Sequence, residues 1–119
     1  MENNLNNLIR ITEDSNFKGS YSGLVDMELN GIFQGSLKVK NLYIKKSGVF
    51  LGFVSADSIV VEGEINAEIQ TENLHLKSSG VVDGEITYRN IIIDSGGLLK
   101  SNMVQNVSSL NNLIKFVKS

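Results

Sequence analysis

One short phrase, repeated five times with little change, constrains this chain more than any other feature. It opens on Gly, places an apolar residue two positions on, Gly or a small residue at four and an apolar residue at six. It reads GIFQGSL at Gly31, GVFLGFV at Gly48, GEINAEI at Gly63, GVVDGEI at Gly80 and GLLKSNM at Gly97. Between the phrases lie apolar-x-apolar triplets: Met27-Glu28-Leu29, Leu42-Tyr43-Ile44, Ile59-Val60-Val61, Leu74-His75-Leu76 and Ile91-Ile92-Ile93. The triplets start 15, 17, 15 and 17 residues apart, and the Gly phrases 17, 15, 17 and 17.

Apolar and polar residues alternate over short runs punctuated by Gly, Asn and Ser, which is strand and turn chemistry. A unit of 15 to 17 residues is too short for two strands and a crossover helix, yet its self-similarity demands that it stack on its own copies. The pattern therefore predicts an all-β solenoid of five to six coils, each advancing about 4.8 Å, in a rod roughly 25–30 Å long. A left-handed hexapeptide helix needs an apolar residue every six positions. The spacing here breaks that rule, so a right-handed parallel β-helix is expected. Four inward columns follow: Phe33/Phe50/Ile65/Val82/Leu99, Leu37/Val54/Ile69/Ile86/Met103, Leu42/Ile59/Leu74/Ile91 and Ile44/Val61/Leu76/Ile93. The Gly columns mark corners, tight at Asn30-Gly31 and Glu62-Gly63 and two residues longer after Ile44, Leu76 and Ile93.

The flanks differ in character. Residues 1–16 are Asn-rich, with Leu5, Leu8 and Ile9 near helical spacing, and read as a flexible N-terminal tail. Residues 17–30 read as a degenerate first turn, in which Phe17, Gly19 and Tyr21 stand as Phe50, Gly52 and Val54 do later. The solenoid is expected over 17–103. Residues 104–119 form a C-terminal tail in which Leu110, Leu113, Ile114 and Val117 follow Ser108-Ser109 at amphipathic spacing, predicting a short helix. Leu5, Leu8, Ile9, Leu113 and Phe116 are the tail residues able to touch a membrane or a partner.

Composition excludes more than it suggests. The net charge is −2 with no basic block, so nucleic acid is not an expected partner. The chain has no Cys, which removes disulfides and thiolate metal sites. No apolar run reaches the roughly 18 residues that span a bilayer, and Met1-Glu2-Asn3-Asn4 is no secretory start. Pro is absent, so every residue keeps its backbone donor for strand pairing. His75, the lone His, is the outward residue of its triplet and reads as a surface side chain. The carboxylates Glu62, Glu64, Glu68, Asp83 and Glu85 could pair as acid and base in a small hydrolase or lyase. Longer right-handed helices do this on loops that this chain lacks. Residues 96–101 end like a phosphate loop but lack its Gly before Lys100. No catalytic residue, metal or cofactor is expected.

The five phrases, the triplets between them and the alternating corners resemble the bactofilin family across residues 17–103. Ala67 and Ser101 depart from the usual Gly, and the tails are not Pro-rich. The resemblance implies a three-faced right-handed β-helix that polymerises end to end without nucleotide. It would form a cytoskeletal scaffold in the bacterial cytoplasm, at the inner-membrane surface, serving cell shape, motility or wall-synthesis partners. The residues say where such contacts would lie. A solenoid's end coils leave backbone groups unpaired and core columns open, and an end-to-end contact that closes no ring makes filaments. Met27, Leu29, Ile32 and Phe33 are expected at one end, and Leu98, Leu99 and Met103 at the other. Tyr43, Val60 and Ile92 share an outward column with Glu28 and His75 and are expected as a lateral contact. The competing reading is a non-polymeric module presenting a protein- or glycan-binding face.

Overall fold

The structure, a computed structural model, describes residues 8–105 and, among these, the side chains of residues 8–100. Nine strands follow in order: β1 (Leu8–Ile11), β2 (Asn16–Ser22), β3 (Asp26–Leu29), β4 (Ile32–Ile44), β5 (Val49–Val61), β6 (Glu64–Leu76), β7 (Val81–Tyr88), β8 (Asn90–Ile93) and β9 (Leu98–Gln105). Every pairing is parallel, and the chain winds about five turns as a β-solenoid. The Gly phrases stack as one ladder, from β2 through the first parts of β4, β5 and β6 to β7 and β9. The triplets stack as a second, from β1 and β3 through the last parts of β4, β5 and β6 to β8.

The register reproduces the expected columns. Phe33, Phe50, Ile65, Val82 and Leu99 pair in succession, as do Leu42, Ile59, Leu74 and Ile91. Alternation sends these residues inward because each strand reverses side-chain direction at every step. Among the described residues the buried core is wholly apolar. Many of its members, Phe33, Phe50, Ile59, Ile65 and Ile69 among them, expose nothing at all. A fifth column was not anticipated: Val39 over Ala56 over Thr71, before the bend in each long strand. Its signal fades because Thr71 is polar. That hydroxyl is satisfied locally, lying 3.2 Å from the Asp57 carbonyl and 3.1 Å from the Asn73 carbonyl.

Each coil is closed by one of two kinds of corner, tight or long. The longer ones are β-turns: the N–H groups of Gly48, Gly80 and Gly97 donate to the carbonyls of Lys45, Lys77 and Asp94 at 2.8–2.9 Å. Two long turns also brace the tight corner of the preceding coil. Ser47 Oγ donates to the Asn30 carbonyl and Ser79 Oγ to the Glu62 carbonyl, both at 2.8 Å. In the mid-strand column, rungs with a positive φ admit only glycine. At Gly52 φ is +130°, and an added Cβ would lie 2.0 Å from the Gly35 carbonyl oxygen. Ala67 fits the same column because its rung does not take a positive φ.

Two expectations change. Residues 8–16 are not tail: Ile9-Arg10-Ile11 is one more apolar-x-apolar triplet, and β1 pairs Ile9 with Met27 and Ile11 with Leu29. Helical spacing of Leu5, Leu8 and Ile9 masked this alternation. Consequently Met27, Leu29 and Phe33 are not terminal. They lie one coil inside, at 2%, 0% and 0% exposure, covered by Ile9, Ile11 and Phe17. At the other end β9 continues to Gln105, and the expected helix lies outside the described residues, as do Leu5, Leu113 and Phe116.

Candidate functional site: the two ends and the outer triplet face

The N-terminal end is built from β1 and β2, each paired on one side only among the described strands. Ile9 and Tyr21 pack against the core, and Ile11 is buried. Phe17 stacks on Phe33 with ring centroids 4.8 Å apart, and Phe33 stacks on Phe50 at 5.2 Å. That aromatic column ends open, with Phe17 still 40% exposed. The C-terminal end is built from β8 and β9, again paired on one side. Leu99 and Ile91 pack on the core beneath them, while Leu98 and Ile93 remain 48% and 45% exposed. Met103 takes its register position beside Ile86. Ile32 points outward from β4, away from the end where it was expected, because its neighbour Phe33 is the inward residue.

The outward column of the triplet face runs Arg10, Glu28, Tyr43, Val60, His75, Ile92. Its first part is polar. The Asn30 amide donates to Glu28 at 3.1 Å and the Arg10 guanidinium at 3.3 Å. The Asn30 bond, aided by Arg10 and opposed by burial, holds the Glu28 carboxyl below its usual range. The remainder is apolar apart from His75. Val60, His75 and Ile92, with Ser58, Asn73 and Asn90 beside them, line a hollow of about 300 Å³. His75 faces outward as expected but is not merely solvated, since its Nε2 lies 2.9 Å from Asp94 Oδ1. The next position on each coil forms a corner column, Lys45, Glu62, Lys77, Asp94. Their N–H groups donate in turn to the carbonyls of Leu29, Ile44, Val61 and Leu76. Lys45 and Glu62 stand 4.0 Å apart.

Elsewhere the chemistry is sparse. A shallow groove of about 680 Å³ follows the bend of the long strands, between Lys38 and Lys40 at one end and Asp57 and Glu72 further along. No aromatic ring lines it, so it lacks the stacking platform a sugar would use. Glu68 and Glu85 are neighbours in register and both exposed. Among the described residues no three His, Asp or Glu side chains gather as a metal site. Gly97 is followed by a strand and not the helix of a phosphate loop. No described helix is long and apolar enough to cross a membrane.

A parallel β-solenoid whose end strands, among the described residues, leave apolar columns partly exposed defines the class: a stackable repeat protein. Within that class the chain belongs to the bactofilin family, described as polymer-forming and cytoskeletal, whose model matches residues 9–104. Among solved structures it is similar to Thermus thermophilus bactofilin, determined by cryo-EM as double helical filaments. The two share 20% identity at a TM-score of 0.78, over 82% of this chain and 99% of that one. No curated protein matches the chain.

Proposed function

We propose that the chain is a structural scaffold, without catalytic activity, that stacks its solenoid ends into filaments and needs no nucleotide to do so. One observation carries this: among the described residues each end offers a half-covered apolar column beside a strand edge with no partner strand, built from the same residue types that stack inside the molecule. Adding a second copy continues both ladders and removes the edges. The N-terminal contact falls on Phe17, with Ile9 and Tyr21 around it. The C-terminal contact falls on Leu99 and Ile93, with Met103 beside them in register, whereas Leu98, expected there, shares the outward column of Ile32 and is the outward neighbour of Leu99. The double helical filaments of Thermus thermophilus bactofilin and the polymer-forming character of the family favour the same reading. Such a scaffold works in the cytoplasm. Its membrane, wall or motility partners would be met by Leu5, Leu113 and Phe116, which lie outside the described residues, and by Leu8, which is 44% exposed.

Phe17→Arg and Leu99→Arg test the reading, each in purified protein free of nucleotide. Negative-stain microscopy and sedimentation should show filaments in the parent and folded short species in the variants. Filaments of undiminished length in both variants would refute the end contacts. A parent that stays monomeric at every concentration would favour the non-polymeric binding module. Phe33→Arg is no equivalent test, since it places a charge in the core and is expected to unfold the chain.

A further inference from the structure

The corner column beside the triplet face alternates in sign: Lys45, Glu62, Lys77, Asp94 on four successive coils. An alternating column of even length has a particular property. Reversed end for end, it presents the opposite charge at every level. Two triplet faces brought together about a two-fold axis along the strands keep corner against corner and reverse the order of coils. Lys45 then meets Asp94 of the second copy and Glu62 meets Lys77, each pair occurring twice. The outward column is brought into the same match, Tyr43 opposite Ile92 and Val60 opposite His75, closing the 300 Å³ hollow with the most exposed apolar side chain on the face, Ile92 at 59%. At the far margin Asn41 meets Asn90 and Ser58 meets Asn73, amides and a hydroxyl able to donate and accept. Rotation about the solenoid axis instead sets the charged corner against this neutral margin and matches no charges.

We infer that the triplet face is an antiparallel lateral interface between two copies of this chain, centred between the coils of Val60 and His75. The inference rests on the proposed end-to-end filament for its strength. Four coils by one short strand cover about 250 Å² per copy, far below the roughly 1,200–2,000 Å² total of a stable pair. One contact is therefore weak, and repetition along two filaments makes it effective. Neighbouring filaments run their coils in opposite directions wherever these faces meet.

The chain has no Cys, so Tyr43→Cys with Ile92→Cys supplies two unique outward thiols. Three coil steps separate these positions by roughly 14 Å within one chain. A bifunctional thiol reagent shorter than that distance joins 43 to 92 only between copies. Peptide mapping should find 43–92 links. Adding Lys45→Glu and Lys77→Glu should lower their yield roughly tenfold or more, since like charges then face each other. Mixing that protein with one carrying Glu62→Lys and Asp94→Lys in the same thiol background should restore them. Links of 43 to 43 or 92 to 92 alone, or 43–92 links unmoved by charge reversal, would overturn the interface. Microscopy of the same samples reads end stacking separately. Filaments lacking 43–92 links sink only the lateral contact, links without filaments sink only the end contact, and neither sinks both.

Discussion

Gly52→Ala probes the rule that lets the coils stack. Gly52 pairs with Gly35 below and Ala67 above, at φ +130°, a region essentially closed to residues with a side chain. Its new methyl carbon would sit 2.0 Å from the Gly35 carbonyl oxygen, more than 1 Å inside ordinary contact. Backbone cannot step aside cheaply, because that oxygen belongs to the ladder joining β4 and β5. Holding φ costs about 1–3 kcal/mol. Opening the rungs forfeits one or two ladder bonds at about 1 kcal/mol each. The sum is about 2–5 kcal/mol, or roughly 8–25 °C in Tm for a domain of this size. Thermal melts should be run in the Leu99→Arg background, so that assembly does not add to the apparent stability. Ala67→Gly is the control: it removes one buried methyl and frees the unfolded backbone, for about 1–2 kcal/mol. A Gly52→Ala variant melting no lower than Ala67→Gly would show that the column's geometry is not set by this contact.

Two further outcomes follow from the triplet face. The Glu28 carboxyl is held below its ordinary value of 4.5, first by the Asn30 amide and then by Arg10. A depressed carboxyl contributes stability that is complete above that value and is lost as pH falls through the folded pKa. Glu28→Gln should therefore melt lower than the parent at pH 6 and draw level with it toward pH 3, and parallel melting curves would contradict the assignment. Salt should separate the two modes of assembly. Screening shortens from about 10 Å at 0.1 M to about 3 Å at 1 M, so paired filaments should come apart into single ones of unchanged length. Filaments that shorten first would place charge, not apolar stacking, at the ends.

What the sequence made legible was whatever it repeats. Columns such as Phe33/Phe50/Ile65 and Ile44/Val61/Leu76 announce themselves because five coils vote for each inward position, and one Glu or Asn between them does not hide the period. Where votes are few, local patterns mislead. Ile9-Arg10-Ile11 lies 18 residues before its copy, beyond the 15-to-17 spacing, and the Leu5/Leu8/Ile9 pattern imitates a helix turn. The Val39/Ala56/Thr71 column was lost because a small residue and a hydroxyl carry it. The bond between His75 and Asp94 was out of reach for another reason. It joins a strand residue to a turn residue 19 positions on, and only the winding brings them together.

That difference explains why the fold was easier to read than its working surfaces. An internal coil is specified by neighbours on both sides, so its residues are redundant. An end is specified by where the repeat stops, and a single overlooked triplet moved the N-terminal surface from Phe33 to Phe17. The end chemistry itself did not change with the shift, because Phe17 is a copy of Phe33 and stacks on it as Phe33 stacks on Phe50. A molecule made of interchangeable coils exposes at its ends what it buries in its middle. In the proposed filament the next subunit is bound by the interactions that hold the last coil to the one before it. Only the chain connection is missing, and its loss replaces a high effective concentration with the free concentration of protein.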